Sequence, residues 1–293
     1  MEITANLPEP SLPVPLSQHP MYAAALRAIG HDAEVIGLCC GPRSVGQVLL
    51  ITRRIGPCGK VALASRGPVW QADAEMPDRV AGLRVLRGRG LRMIEAEAAD
   101  SETLRASGYR QITTPAHVAE LDLTGGPAAI RARAHGKWRN RMVRAERAGL
   151  IVRSLSFQGN ANHWLFQQEA AQQRRKRYAT LPATLTAAFA HGNPGMARLF
   201  VAERDAVPLA GMLFLRHGPV ATYQIGWSGE EGRALSAHHL VLMQAADWLG
   251  EHGHIRLDLG TVDTEAAAGL ARFKLGSGAR LRALGGSWLR LPF

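Results

Sequence analysis

A chain of 293 residues, 46% hydrophobic and 20% charged, has the balance of a globular protein and the length for two domains of ordinary size. It contains no run of about 18 apolar residues, which excludes a helical membrane span. Its formal charge of +11 is placed unevenly: twelve Lys and Arg between Arg131 and Arg177 face only Glu146 and Glu169, so nearly all the excess sits in one middle segment. Such a concentration argues for a localised anionic partner.

The opening is rich in proline and acid (Glu2, Pro8, Pro10, Pro13, Pro15) and unlike a signal peptide, so a Pro-rich leader over 1–16 and a cytoplasmic location are expected. Ser17 can cap a helix with Pro20 in its first turn, running to Gly30. Strands are expected at Glu34–Cys40, Val45–Arg54 and Val61–Ala64, the first two joined by the turn signal Gly41-Pro42. A helix at Pro77–Leu86, a strand at Leu91–Glu95 and a short helix at Ser101–Ala106 follow, then strands at Tyr109–Thr113 and Val118–Leu123. Cys39, Cys40 and Cys58 support neither a disulfide framework nor a metal site and are expected as buried thiols.

From about Pro127 to Ala148 the pattern reads as one basic helix, with Ile130, Ala134, Trp138, Arg141 and Ala145 on its packing stripe and Arg133, Lys137, Arg144 and Arg147 reaching water or a ligand. The second half then repeats the order of the first. Helices at 160–178 and Pro182–His191 precede strands Ala197–Glu203, Leu209–Arg216 and Val220–Trp227. The helix Ala237–Gly250, the strand Ile255–Leu259, a helix carrying Arg272-Phe273-Lys274, and strands Ala279–Leu284 and Ser287–Leu291 complete it. Two similar α/β domains with mixed sheets are the simplest account, a leader 1–16 being followed by domains at 17–125 and 126–293, the latter opening with the basic helix 126–148.

The stretch Pro219–Gly278 draws the functional reading. Strand, helix, strand means parallel pairing, and ligands of such sheets sit beyond the strand carboxyl ends and at helix N-termini. The loop Ser228–Ser236, Asp258 at a strand end, and Lys274 are therefore the first places to look for chemistry. Lys274 precedes the helix exit Gly276-Ser277-Gly278, where a lone cation can hold a phosphate, polarise a carbonyl or compensate the helix terminus. Asp258 alternates with Leu257 and Leu259, and its readings are a general base, an amine-orienting group or a structural hydrogen bond. His238-His239 and His252-x-His254 come without carboxylates or thiolates at ligand spacing, so no metal is expected.

Several patterns in register resemble the FemABX-like branch of tandem GNAT acyltransferases. These are Arg66-Gly67-Pro68-Val69-Trp70; Gly108-Tyr109-Arg110 with Thr113-Thr114 and Glu120–Leu123; the Lys/Arg-rich run Lys137–Leu150 with its Ala-Glu-Arg-x-Gly; and Asp258-Leu-Gly followed by Arg272-Phe273-Lys274-x-Gly276. The resemblance implies two tandem GNAT-like domains and transfer of an acyl or aminoacyl group to an amine, with no covalent enzyme intermediate and no tightly bound cofactor.

It further implies a donor held at a loop of the form Arg/Gln-x-x-Gly-x-Gly/Ala, here Arg233-Ala-Leu-Ser236-Ala237-His238. Ser and His depart from that pattern at its small-residue positions. Lys274 and Asp258 are the catalytic candidates. Arg66, Tyr223, Arg233, Ser236, Ala237, His238, Phe273, Lys137 and Arg141 are the candidates for binding substrate or donor, although Tyr223 and Phe273 also read as packing residues and Arg66 as one half of an ion pair. The expected donor is an acyl-coenzyme A thioester, with aminoacyl-tRNA as the alternative, and the acceptor a small-molecule or peptide amine in a cleft between domains. Segment 131–177 is the expected contact for tRNA or an acyl-carrier protein. A non-catalytic binder of nucleic acid or anionic surfaces is the reading from another class.

Overall fold

The computed structural model describes residues 1–4, 13–56, 59–176 and 181–291. In chain order the elements are β1 (Glu2–Thr4), α1 (Pro20–Ala28), β2 (Asp32–Cys40), β3 (Arg43–Arg54), β4 (Lys60–Ser65), β5 (Val69–Trp70), α2 (Met76–Gly88), β6 (Leu91–Ala96), α3 (Ser101–Ala106), β7 (Arg110–Thr113) and β8 (His117–Asp122). They continue with α4 (Gly126–Arg133), α5 (Gly136–Arg147), β9 (Ile151–Ser156), α6 (Trp164–Lys176), α7 (Ala183–Gly192), β10 (Ala197–Arg204), β11 (Val207–His217) and β12 (Val220–Ser228). The last are α8 (Glu230–Ala234), α9 (Ala237–Glu251), β13 (Arg256–Val262), α10 (Ala268–Gly276), β14 (Arg280–Ala283) and β15 (Gly286–Leu289).

Two compact units result, Met1–His117 with Ala283–Phe293, and Val118–Arg282. The division falls at His117/Val118, whereas the sequence pattern places it at 125/126, and the final strand belongs to the first unit. One sheet runs β1-β2-β3-β4-β6-β15-β7 with β5 on β3, and the other β9-β10-β11-β12-β13-β8-β14. The two orders correspond position by position, with a parallel step, β4 to β6 and β12 to β13, at the same place in each. The sixth strand of each comes from a distant part of the chain: β15 completes the first sheet, and β8 the second. Trp288 of β15 is 1% exposed within the first core, among Leu38, Leu83, Leu86 and Ile94. Losing a buried ring of that size typically costs about 3–5 kcal/mol, enough to fix the C-terminal strand there.

In the second unit α9 is buried almost all round, with Leu240, Val241, Leu242, Met243, Ala245, Ala246 and Leu249 each at most 1% exposed. It packs with Phe200, Met212 and Phe214 of the sheet and with Trp138 and Met142 of α5. That burial explains its near-continuous apolar sequence.

Four expectations are corrected. His19, not Ser17, caps α1: its Nδ1 accepts the Met21 N–H at 3.2 Å, while the Ser17 hydroxyl donates to the Ser65 carbonyl at 2.9 Å. The basic helix is two helices. Ala134 is extended (ψ 139°), and the His135 N–H leaves the helix to bond the Gly276 carbonyl at 2.9 Å, with Gly136, a weak helix former, next in line. On α5 the packing stripe is Trp138, Met142 and Ala145, which leaves Arg141 exposed. Cys39 and Cys40 are half-buried free thiols and not core residues, because they end an antiparallel strand at its turn; Cys58 and Arg177 lie outside the described residues.

Candidate active site in the second unit

β12 and β13 pair in parallel only at Val220–Arg256, Ala221–Leu257 and Thr222–Asp258, though β12 continues to Ser228 and β13 to Val262. The strands part where β12 bulges: Phe214 of β11 pairs with Tyr223 and Leu213 with Ile225, which leaves Gln224 as the extra residue. A bulge bends its strand and sharpens its twist. Gln224 is turned to α7, its Nε2 donating to the Thr186 hydroxyl at 3.1 Å.

Asp258 stands at the last paired position and is 2% exposed, its Oδ1 accepting the Gly260 N–H at 2.7 Å. Gly260 has φ +77°, a conformation that glycine adopts without the Cβ penalty. The turn presents the Thr261 carbonyl to Lys274 of α10, whose Nζ donates to it at 2.7 Å. Lys274 is 5% exposed. Burial pushes its pKa down to about 8, against the opposing pull of Asp258. At pH 7 roughly 10% of such a lysine is the neutral amine, against well under 1% for an exposed one.

Beside Lys274, three helices bring aromatic rings together. Trp138 of α5 donates its indole N–H to the Phe273 carbonyl at 3.0 Å and lies 4.9 Å from the His239 ring; Phe273 is 5.2 Å from His239 and 6.0 Å from His238. A Cβ on Gly276 would come within 2.7 Å of Trp138 Cδ1, so glycine is what lets α5 and α10 approach. His239 is buried, and desolvation first, then the Arg141 charge, lower its pKa to about 4, so it is a neutral imidazole near pH 7. On the flank of α10 a pocket of about 340 Å³ is lined by His135, Thr264, Ala268, Ala271, Arg272 and Leu275.

The structure thus groups Lys274, Asp258, Phe273 and His238 around the parted strands. Arg141 is near enough to act on His239, and Lys137 is exposed on the same helix. Tyr223 lies at the bulge, its hydroxyl over Gly226. The loop Ser228–Ser236 is largely the short helix α8, and Arg233 folds back to the Ser228 carbonyl at 2.5 Å. Ser236 takes a left-handed conformation (φ 60°) before the first turn of α9, Ala237 is buried, and His238 Nε2 meets the Trp227 carbonyl at 2.7 Å. Arg66 belongs to the first unit and is paired with Glu97 at 2.7 and 3.1 Å. The sequence reading missed His239, which it weighed only as a metal ligand, and Thr261; the ring of His239 is placed by contacts that no local pattern reveals.

Several charges of segment 131–177 are also answered from elsewhere in the chain. Arg131 meets Asp247 as well as Glu146, Arg133 meets Asp122, and Arg153 meets Glu203 at 2.7 Å. Lys137, Arg139, Arg141, Arg144 and Arg147 are exposed on α5.

Residues 131–275, which hold every sequence-predicted site residue except Arg66, match the acetyltransferase (GNAT) domain. Most of the second unit is thus similar to GNAT domains. The whole chain superposes on FemX with a TM-score of 0.78 at 14% identity, over 98% of this chain and 96% of that one. It also superposes on the C-terminal domain of a protein assigned as a lysylphosphatidylglycerol synthetase from Agrobacterium fabrum (0.57; 13%; 94% and 89%) and on L-PGS from Bacillus licheniformis (0.53; 16%; 94% and 92%). No curated protein matches the sequence. The fold is therefore the FemX-like tandem GNAT arrangement, and the chain is an acyltransferase by class. Among the described residues no helix is long and apolar enough to cross a membrane.

Proposed function

We propose that this GNAT-like domain transfers an acyl group from a coenzyme A-type thioester to a substrate amine in the cytoplasm. One observation carries the reading: a buried lysine with its pKa near 8 sits where two parallel strands part, so that an acyl chain can enter beside strand backbone unused by pairing. The fifteen-residue helix α9, starting at Ala237, offers its first-turn N–H groups and positive end to the donor's phosphates, next to Ser236 and His238.

The acceptor nitrogen attacks the carbonyl carbon, a C–N bond forms and the C–S bond breaks. Neutral Lys274 accepts the proton the nitrogen sheds and returns it to the leaving thiolate. A pKa close to the working pH suits both transfers. Asp258 acts through its neighbours, shaping the Gly260 turn and keeping the Lys274 pKa from falling further. Under this scheme kcat rises with pH up to about 8 in wild type. A Lys274→Met variant that kept wild-type kcat on acetyl-coenzyme A, or a wild-type rate falling through that range, would remove Lys274 from the chemistry.

A second reading, aminoacyl transfer from aminoacyl-tRNA, is favoured by the exposed bases of α5, which lie on the same helix as Trp138. The two separate on salt. Binding of bulk aminoacyl-tRNA should fall steeply between 50 and about 200 mM salt, whereas coenzyme A should raise the melting temperature with weaker salt dependence.

A further inference from the structure

A second charged group lies at the other end of the same unit. Arg198 of β10 stands opposite Phe214 of β11 in the antiparallel register, and Arg216 lies two residues further along β11. The two arginines are thus diagonal neighbours on one sheet face, about 7–8 Å apart by ladder geometry. Both guanidinium groups rest against the indole of Trp248 from α9, at 4.7 and 5.1 Å from its centroid. Trp248 in turn stacks with His252 at 3.6 Å.

Among the described residues neither arginine has a carboxylate within ion-pair distance. Arg198 spends Nε on the Ser154 hydroxyl (2.8 Å) and Nη2 on the Ser154 carbonyl (3.3 Å); Arg216 spends Nε on His254 Nε2 (2.9 Å) and Nη1 on the Gly195 carbonyl (3.1 Å). Among the described residues, Arg198 Nη1 and Arg216 Nη2 are left as donors without a protein acceptor. Partial burial, and then the neighbouring Arg198 charge, lower the Arg216 pKa, and buried His254, itself held neutral with a pKa of about 4, adds no charge of its own. Covering an indole takes only one long side chain, and a lysine or arginine stem does it without a like charge beside it. A second guanidinium adds repulsion that a bound anion would relieve.

We propose that Arg198, Arg216 and Trp248 form a binding site for a phosphate group. Two adjacent guanidinium groups, each with a remaining Nη donor, suit a compact tetrahedral dianion. Ser156, opposite Arg198 in the β9 register, and Ser154, opposite Phe200, put hydroxyls on the same face. The site is separate from the acyl-transfer centre. Arg216 pairs with Ala221 at the start of β12, while Lys274 reaches Thr261 near the end of the parallel strand β13. It therefore does not depend on the function proposed above. The phosphate is either free or carried on a nucleoside, whose base would have the Trp248–His252 pair beside it.

Thermal unfolding of the whole chain in inorganic phosphate, against sodium chloride at matched ionic strength and pH, tests it. Wild type should gain about 3 °C or more at saturation, and Arg198→Gln and Arg216→Gln should each abolish the gain while remaining folded by circular dichroism. Lys274→Met should keep it. Adenosine 5′-monophosphate run in parallel identifies the source: a half-saturating concentration about tenfold lower than for phosphate, raised again by His252→Ala, indicates a nucleotide, and equal values indicate free phosphate. No gain in wild type with either probe, or the same gain in wild type and both arginine variants, overturns the proposal. Should an arginine variant fail to fold, Arg198→Lys and Arg216→Lys keep the charge but not the fork, and must weaken binding at least several-fold.

Discussion

The two units share a strand order and differ at the parallel step from the fourth strand to the fifth. In the first, β4 and β6 stay joined to the end of β4: Ser65 pairs with Glu95, its hydroxyl donates to the Glu95 carboxylate at 2.6 Å, and the Gly67 N–H still reaches the Glu95 carbonyl at 3.0 Å. Arg66 beside it is satisfied by Glu97. In the second, β12 and β13 separate after three residue pairs, and a buried lysine stands over the opening. One topology thus supports a closed seam with its charges paired internally, and an opened seam with a titratable group turned inward. The duplicated sheet provides the frame, and a bulge at Gln224 together with a desolvated Lys274 distinguishes the second copy, to which the proposed chemistry is assigned.

The largest test of that contrast is Lys274 itself. Lys274→Met should lower kcat by about 10²–10⁴-fold, the usual span for losing a proton-transferring group. Stability should move the other way. The folded pKa of about 8 lies below the unfolded value near 10.4, so at pH 7 the folded state bears a charging cost on the order of 3 kcal/mol. That cost is full below pH 8 and fades as pH rises towards about 10.4. Urea titrations should therefore find the variant as stable as wild type or more so at pH 7, and the gap closing in that alkaline window.

Next is the packing that holds α10 in place. Gly276→Val should cost about 1–3 kcal/mol by overpacking against Trp138, and should depress kcat with it, as read from denaturant midpoints and initial rates. A silent substitution would mean that the α5–α10 contact does not position Lys274.

Acid stability separates the units through their histidines. His239 and His254 in the second unit and His19 in the first have folded pKa values lowered to about 4 by burial. The unfolded state then binds more protons between about pH 4 and 6.5, so stability falls as pH drops through that window, by at most about 3 kcal/mol per histidine. His239→Gln should flatten the decline measured by urea midpoints from pH 7 to pH 4.5; an unchanged slope would show that His239 is protonated without cost.

The smallest expected effect lies in the first unit. Arg66→Ala breaks a partly exposed pair, at 18% and 13% side-chain exposure, and should cost about 1 kcal/mol with turnover changed less than about threefold. A tenfold loss of turnover at unchanged stability would show that the first unit contributes to the chemistry.

Local pattern was sufficient for the elements themselves. The strand–helix–strand order of Val220–Val262, the buried helix α9 and the helix bearing Phe273-Lys274 follow from runs of apolar residues and their periods, and the parallel step follows from connectivity. The repeated order of elements also revealed the duplication. Tertiary structure alone decided which sheet receives β8 and β15, because a strand's alternation is the same in either sheet and only Trp288 seated in the first core shows its place. It decided that Arg131, Arg133 and Arg153 find acids far away in sequence, which a count along the chain cannot see. And it decided the chemistry of Lys274: the residue type is written at that position, but its desolvation, its bond to Thr261 and the opening beside it exist only once α10, β13 and the bulged β12 have packed.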